Sequence, residues 1–432
     1  MNQFTKIYNQ YLKPLAESLK DTMCKFDKEI FTYKSYLRFK DVFYTTCLIN
    51  GNPSPNHGYS KALDSIKENK LFNVTKSALI TKKKRIDHTY YDKISEKVIE
   101  HIYKDVPYRL LGNDGSFIYY DISLKKDGCL LSNNKECCIG LVNVLHDLER
   151  KIIINYSVHN LHNEREALIS QFHLLRVGDI VVHDRGYPSV EIFIIFNQNH
   201  IKGIWGLPNT SHMFKAIKKS RKNDIQYTLI YKNQEIKLRL LKYKIDTKRG
   251  KKNIYLVTNI LDEFDIDFFI DAYKKRWEVE VNIRHAKYDL PLANIKAKTF
   301  HGIQQDVSAL RFNSIMSSYI EYLLTPKIKK TIRHNHKINT SSCIDMTVNK
   351  ILKSLFYPYK DLDNKQKIVN QLFIISQNVV MIQKGRSCKR KRRRPLGKWR
   401  NSGGSSNRPR KKKLATKKVN SDDIPKYLND ND

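Results

Sequence analysis

The chain has 432 residues, and 79 Lys and Arg against 43 Asp and Glu give it a formal net charge of +36. With 41% hydrophobic and 11% aromatic residues it can bury a full core, which excludes wholesale disorder and collagen-like or disulfide-scaffold classes. The charge favours a polyanionic partner, nucleic acid before a membrane surface, and no apolar run approaches the ~20 residues of a membrane span.

Residues 1–105 are predicted to be a mostly helical DNA-binding region. A short helix begins at Thr75 and ends in a basic run, a pattern that fits the recognition helix of a helix-turn-helix. The basic run consists of Lys82, Lys83, Lys84 and Arg85. A lysine-rich helix exposed to solvent explains the same pattern equally well, so both interpretations stay open.

Residues 106–214 alternate predicted strands and helices, and two aspartates lie at or near strand ends. Asp114 lies in the strand-like segment 109–120, and Asp184 follows the apolar run Ile180-Val181-Val182. A short, wholly apolar run of this kind indicates a strand that is buried on both faces. The other predicted strands cover residues 136–145, 151–158 and 200–207, and the predicted helices begin at Asn163 and at residue 189.

The second half of the chain is predicted to hold four further regions. They are a β-rich insertion (215–262), a helix that completes the core (263–300), a helical C-terminal region (301–383) and a basic tail (384–432). From Lys384 to Asn420 the tail has 17 Lys and Arg and no Asp or Glu. Like charges at this density do not collapse into a core, so the tail is predicted to be disordered in isolation.

One stripe of the predicted helix 265–287 carries four polar residues, Tyr273, Arg276, Glu280 and Lys287. At about 100° per residue they fall within about 60° of one another. In this stripe Glu280 can bind a divalent metal, the two cations can hold phosphates and the tyrosine hydroxyl can hydrogen-bond one. The alternative is a surface stripe of salt bridges, because Arg276 and Glu280 are i,i+4 partners.

Asp114, Asp184 and Glu280 together make a minimal site for two Mg²⁺ ions, with Mn²⁺ as a substitute. Hard cations prefer carboxylate oxygens, and a pair of them can stabilise the attacking and leaving oxygens of a phosphodiester displacement. A metal-activated water or a DNA 3′-hydroxyl can attack directly, so the reaction requires no covalent nucleophile.

The spacing Tyr273-x2-Arg276-x3-Glu280-x6-Lys287 resembles the signature of DDE transposases in the insertion-sequence-four family. The segment around Asp184 resembles the second-Asp motif of that family, and Asn113-Asp114-Gly115-Ser116 resembles the first. The whole resemblance covers residues from about 70 to 320. It implies an α/β fold, with an RNase H-like core, an all-β insertion and flanking helical N- and C-terminal regions. It further implies that Tyr273, Arg276 and Lys287 hold a phosphate of the DNA strand that is not transferred.

The function predicted on this basis is metal-dependent cut-and-paste DNA transposition. The expected partners are double-stranded DNA, as transposon ends and as target, and a second copy of the chain in a homodimeric synaptic complex; no membrane partner is expected. The alternatives are a domesticated sequence-specific DNA-binding protein and another RNase H-like nuclease such as a resolvase. The Tyr-Arg-Glu-Lys stripe disfavours the resolvase.

Two further features bear on DNA and on location. Trp205 and Trp277 are candidates to stack on a base flipped out of the duplex, with core packing as the alternative. Core packing is favoured for both, and Trp205 is kept as the base-stacking candidate. Six consecutive basic residues resemble a nuclear-localisation signal: Lys389, Arg390, Lys391, Arg392, Arg393 and Arg394. They predict the nucleus in a eukaryotic host, and otherwise the cytoplasm, at the nucleoid.

Overall fold

A computed structural model of the chain is centred on a mixed β-sheet that packs against helices from both ends of the sequence. The residues it describes are 2–31, 36–52, 54–70, 73–132, 136–160, 163–247, 250–295, 297–328, 335–357 and 361–382. The predicted tail, with the run Lys389–Arg394, lies outside the described residues.

The N-terminal region is helical, as its sequence predicts. In α2, apolar side chains at intervals of three or four residues form one buried face that joins the core, namely Leu15, Leu19, Met23 and Phe26. The helices are α1 (Asn2–Ile7), α2 (Lys13–Ile30), α3 (Phe39–Ile49), α4 (Pro55–Lys70), α5 (Lys76–Lys84) and α6 (His88–Ile102), with a π-helical turn at Tyr8–Leu12.

Nine strands form the central sheet. They are β1 (Leu110–Tyr120), β2 (Leu130–Leu131), β3 (Cys138–Asp147), β4 (Ile153–His159), β5 (Ile180–His183), β6 (Lys202–Gly206), β7 (Asp224–Tyr231), β8 (Gln234–Thr247) and β9 (Gly250–Thr258). Their order is β2-β3-β1-β5-β6-β9-β8-β7, with β4 paired to β3. β1, β5 and β6 are parallel to one another, and β3 and β9 flank this trio in the antiparallel sense.

The strands predicted within residues 215–262 continue the central sheet. β7, β8 and β9 form an antiparallel meander, and β9 pairs with β6 through Thr258, Val257 and Leu256. The described structure therefore joins these strands to the sheet that carries Asp114 and Asp184.

Helices complete the fold around this sheet. They are α7 (Glu164–Ile169), α8 (Val190–Gln198), α9 (His212–Lys219), α10 (Ile266–Lys275), α11 (Trp277–Tyr288), α12 (Phe300–Leu324), α13 (Thr340–Met346), α14 (Leu352–Phe356) and α15 (Asp361–Gln377). Nearly every residue of α12 from Ile303 to Ile320 is buried, because this helix contacts α3, α6 and β4 together. A helix that is buried all round is a core element rather than a surface helix.

Two details differ from the predicted elements. The helix expected over residues 265–287 is divided at Arg276, where the Val279 amide donates to the Arg276 carbonyl in a tight i→i+3 turn. The C-terminal region, expected to be helical, also contains a small antiparallel sheet of β10 (His336–Ile338) and β11 (Val379–Met381). Among the described residues, no helix has both the length and the apolar character needed to cross a bilayer.

His146 gives the fold a pH-dependent stability. Its imidazole is fully buried on β3, Asn282 of α11 donates to its Nε2 at 2.8 Å, and burial lowers its pKa to about 4. The unfolded chain takes up this proton near the ordinary histidine pKa of about 6.5, so the stability from the neutral form is present above pH 6.5 and is lost as pH falls.

We therefore expect His146→Gln to have a flatter pH dependence of the free energy of unfolding between pH 6.5 and 4. The wild-type protein should lose up to about 1.4 kcal/mol per pH unit more than the variant in this window. Urea unfolding at several pH values measures the difference. The matched control is His173→Gln at an exposed position, and equal slopes for wild type and His146→Gln would contradict the expectation.

Candidate active site

The register of two parallel strands brings the predicted aspartates together. Gly112 of β1 pairs with Val182 of β5, and Asp114 and Asp184 each lie two residues beyond this pair. Because side chains alternate between faces and neighbouring strands lie about 4.8 Å apart, both aspartates are on one face of the sheet at one edge of the pairing. Asp184 follows its strand as predicted, whereas Asp114 lies within β1, beyond the end of its pairing with β5.

Glu280 reaches the aspartates because α11 packs closely on β1. An added Cβ on Gly112 would lie 2.4 Å from Cγ2 of Val279, so only glycine at this position permits the observed approach of helix and strand. Val279 immediately precedes Glu280 in the first turn of α11. The close contact therefore sets the height of Glu280 above the sheet.

The three carboxylates surround one guanidinium, that of Arg276. Its nitrogens lie 3.9 Å from Asp114 Oδ2, 3.8 Å from Asp184 Oδ1 and 3.6 Å from Glu280 Oε1. The arginine side chain is only 13% exposed, and its Nε and Nη1 have no hydrogen-bond partner among the described residues. The arrangement favours the predicted cluster over a solvated surface stripe.

A fourth acid, Glu164, stands beside Asp114 and was not found from the sequence. It begins α7, and its Oε1 would lie 2.7 Å from a Cβ added to Gly115. Burial raises the pKa of Asp114 to about 6, and the charges of Glu164 and Asp184 add to this rise, against Arg276 and the Gly115 amide. An acidic residue in the first turn of a helix is common, so nothing in the sequence marks Glu164 as a neighbour of Asp114.

Arg165, the next residue of α7, fixes the loop that follows Asp184. Its guanidinium donates to the Gly186 carbonyl from Nη2 at 2.9 Å and from Nε at 3.1 Å, and to the Pro188 carbonyl at 3.1 Å. From the sequence, Arg165 was predicted only to lie near the start of a helix. In the structure α7 contacts the surroundings of both aspartates through two consecutive side chains.

Tyr273 and Lys287 lie on opposite sides of this cluster. An added Cβ on Gly206 would lie 2.4 Å from the Tyr273 hydroxyl, so the glycine at the end of β6 makes room for it. Burial raises the pKa of Tyr273, and Arg276 lies 5.6 Å from its ring centroid. Lys287 donates to Ser116 Oγ at 2.6 Å and to the Phe117 carbonyl at 3.0 Å, just beyond Asp114 along β1.

The structure buries one tryptophan and exposes the other. Trp205 is fully buried in β6, where its ring packs against Phe193, Phe196 and His183, so the favoured core packing is observed and the ring is not available to stack on a flipped base in this conformation. Trp277 is 57% exposed, directly after Arg276, so core packing was the wrong prediction there. β6 is a central strand covered by α8, whereas Trp277 lies at an exposed helix start.

The predicted basic run on α5 is divided between the interior and the surface. Thr75 caps the helix as predicted, accepting a hydrogen bond from the Ala78 amide at 3.2 Å. Lys83 is engaged in an ion pair with Asp306 of α12, and Lys82 lies 5.1 Å from the ring centroid of Phe31. Lys84 and Arg85 are exposed. DNA binding by this run stays a prediction, and the side chain of Lys83 is committed to the interior.

The donor set of this candidate active site fits a divalent metal such as Mg²⁺. Carboxylate oxygens are the ligands that Mg²⁺ prefers, and Asp114, Asp184 and Glu280 converge on a place that already holds a cationic group. Burial, with the charges of Glu164 and Asp184, raises the pKa of Asp114, and a cation bound beside it would favour the ionised carboxylate.

Comparison with known protein families gives a match at the same place. Residues 133–314 are similar to the family described as Transposase DDE domain. The matched residues include Asp184 and Glu280, and Asp114 lies before them. A search of curated proteins found no match. The similarity supports a DDE transposase, a class of nuclease that acts on DNA, as the sequence predicts.

Proposed function

We propose that this protein catalyses Mg²⁺-dependent cut-and-paste DNA transposition as a member of the insertion-sequence-four group. The observation that carries the proposal is the convergence of Asp114, Asp184 and Glu280, from two adjacent parallel strands and one helix, around Arg276. The match to the transposase DDE domain supports the same class of reaction.

The sheet supports an RNase H-like core for this domain. Its central strands β1, β5 and β6 are parallel, and ligand sites of open α/β sheets lie beyond the carboxyl ends of such strands. Asp184 lies at that end of β5, and Asp114 is level with it on β1. We regard β7–β9 as the all-β insertion, attached at the far edge of the sheet.

Two divalent ions, when bound, supply charge neutralisation at the scissile phosphate and activation of the attacking hydroxyl. Asp114, Asp184 and Glu280 would hold them, and Asp114 is itself oriented by the Gly115 amide, which donates to its Oδ1 at 2.9 Å. Glu164 would add negative charge beside Asp114, and Arg165 would keep the loop after Asp184 in place.

The cationic side chains would hold DNA next to these carboxylates. Arg276 is flanked by acids at distances beyond a hydrogen bond, so its donors can turn to a phosphate oxygen. Lys287 stands at the opposite end of α11 against β1. The exposed Lys84 and Arg85 of α5 would contact phosphates of the transposon end further away.

The experiment that tests the function uses the full chain with DNA that carries the inverted repeats flanking its coding region. We expect Mg²⁺-dependent cleavage at the repeat ends and joining of those ends to target DNA. Binding to the repeats without cleavage in Mg²⁺ or Mn²⁺ would instead indicate the domesticated DNA-binding protein. Gel filtration of the DNA complex would test the proposed homodimer.

We expect Arg276→Ala and Lys287→Ala to slow strand transfer and weaken engagement of the DNA end. Loss of one phosphate contact should reduce the slope of log K against log salt by about one unit. Affinity titrations at several salt concentrations measure it. Lys275→Ala is the matched control, because this lysine pairs with Asp271 on the outer face of α10. If the salt slope and the rate of strand transfer are unchanged in these variants, Arg276 and Lys287 have a structural role and do not contact DNA phosphates.

Trp277 takes over the proposed role of stacking on a flipped base, because its ring is exposed next to Arg276. A 2-aminopurine placed at the transposon end should gain fluorescence when wild-type protein binds. We expect Trp277→Ala to lose this gain, whereas Trp205→Phe, a change in the core, should keep it. Equal fluorescence with wild type and Trp277→Ala would remove the proposed role.

A further inference from the structure

Three side chains with metal-binding atoms meet away from the carboxylate cluster, where the first turns of α6 and α12 approach each other. Asp87, His88 and His301 each offer one such atom, and these atoms lie within 4.8 Å of one another. The two imidazole ring centroids are 6.3 Å apart, with the rings nearly perpendicular at 77°. His88 Nδ1 lies 3.5 Å from Asp87 Oδ1.

One ring nitrogen of His88 makes no hydrogen bond in the described structure. Its Nδ1 is shielded from solvent and has no hydrogen-bond partner among the described residues. Its Nε2 lies 3.4 Å from the amide nitrogen of Gln304, and a half-turn of that amide places the oxygen there to accept a hydrogen bond from Nε2. Metal-binding histidines have such an outer partner, which leaves the other nitrogen's lone pair for the ion.

Asp87 is ionised and oriented by its own helix. As the N-cap of α6 it accepts hydrogen bonds from the Thr89 amide at 2.9 Å and from the Thr89 hydroxyl at 2.6 Å. These hydrogen bonds lower the pKa of Asp87, and the charges of His88 and His301 add to the effect. A fixed carboxylate therefore stands beside two imidazoles.

We propose that Asp87, His88 and His301 bind Zn²⁺ or a similar first-row transition-metal ion, with water completing the coordination. Imidazole nitrogen with a carboxylate oxygen is a donor set suited to Zn²⁺, whereas Mg²⁺ prefers oxygen ligands throughout. Metal bonds of about 2.0–2.1 Å require the ligand atoms to close by roughly 1.5 Å, which the two partly exposed imidazoles can do by side-chain rotation.

The positive ends of two helices oppose a cation here, but the effect is small. A helix N-terminus reduces the affinity for a nearby cation by up to about fivefold, and Asp87 offsets that of α6. Chelation by three protein ligands raises metal affinity by several orders of magnitude, which far exceeds this fivefold effect.

The ion would complete a set of contacts that fix the α5–α6 corner, residues 83–88, to α12. Gln305 of α12 already donates to the Lys83 carbonyl at 2.7 Å and to the Ile86 carbonyl at 2.5 Å, and Lys83 pairs with Asp306. His301 and Gln304 belong to the same turns of α12. The metal would therefore hold α5, the candidate DNA-contacting helix, in a fixed orientation; this consequence for DNA rests on the proposed function, whereas metal binding itself does not.

Cobalt titration of the full chain tests the site. Metal-free protein is titrated with Co²⁺ in a buffer with millimolar Mg²⁺. The Mg²⁺ occupies sites that have only oxygen ligands. Visible absorption then reports cobalt that is bound by nitrogen ligands at low coordination number. We expect one equivalent of Co²⁺, displaced by Zn²⁺. The affinity should fall at least about tenfold in His88→Gln, His301→Gln and Asp87→Asn. Asn retains the helix cap at residue 87, so the third variant separates ligand loss from misfolding.

Two controls keep the metal site separate from the proposed catalysis. His212→Asn, at an exposed position on α9, should bind Co²⁺ like the wild type, and so should Glu280→Gln. Absence of a one-equivalent cobalt signal in the wild type, or equal affinity in all three ligand variants, would overturn the proposal. Neither result depends on whether the protein cleaves DNA.

Discussion

Glu280→Gln is expected to abolish DNA cleavage while leaving DNA binding nearly intact. The substitution removes a negative charge from the group that faces Arg276, at 3.6 Å, with little change in shape. Metal-ion stabilisation of a phosphodiester transition state contributes several kcal/mol, so the cleavage rate should fall by roughly 10³-fold or more. Asp114→Asn and Asp184→Asn should behave in the same way, because the three carboxylates act as one set.

A matched control for this prediction lies two residues earlier on the same helix. Glu278 points away from the aspartates and pairs with Lys151 at 3.2 Å, so Glu278→Gln should keep wild-type cleavage. Cleavage rates on labelled transposon ends and affinities from gel shifts, measured on the same preparations, separate chemistry from binding. Wild-type cleavage in Mg²⁺ by any one of the three carboxylate variants would contradict the assignment of the site.

Deletion of residues 384–420 is expected to lower the affinity for non-specific DNA more than any of the single substitutions described above. This segment holds 17 Lys and Arg, almost half of the net charge of +36. If about half of these charges contact phosphates at one time, the slope of log K against log salt should become shallower by roughly 8. Such a change corresponds to a loss of several orders of magnitude in affinity at low salt.

The same deletion tests the localisation that the basic run predicts. In a eukaryotic host, a fluorescent fusion of residues 384–420 should concentrate in the nucleus, and the deleted protein should be largely cytoplasmic. A tail with Gln in place of every Lys and Arg is the control for length. A deleted protein that enters the nucleus and binds non-specific DNA with an unchanged salt slope would refute both roles of the tail.

The sequence predicted the helical segment with Tyr273, Arg276 and Glu280 because its signal is a spacing. Tyr273, Arg276 and Glu280 are close enough along the chain for helical geometry alone to gather them. Their meeting with Asp114 and Asp184 follows from strand register, which the sequence only suggested through apolar runs. The division of the helix at Arg276 left no sequence mark, because a tight turn of this kind requires no glycine or proline.

Side-chain environments were predicted less well, since they depend on contacts between distant segments. Trp205 lies under α8 in the core, whereas Trp277 lies at an exposed helix start, because α8 covers β6 and no described helix covers the start of α11 in the same way. Lys83 belongs to a run of four basic residues, and only the position of Asp306 on α12 withdraws it from the surface. Glu164 likewise becomes part of the site through the packing of α7 over β1.

The buried helix α12 affects the order in which parts of the protein can fold during synthesis. It supplies the contact surface for α3, α6 and β4, but the ribosome makes it only after all nine strands of the central sheet. The N-terminal helices therefore emerge early with their apolar faces uncovered and have to be shielded until α12 arrives. A fragment that stops before residue 300 would keep all three carboxylates and still lack the helix that closes its core.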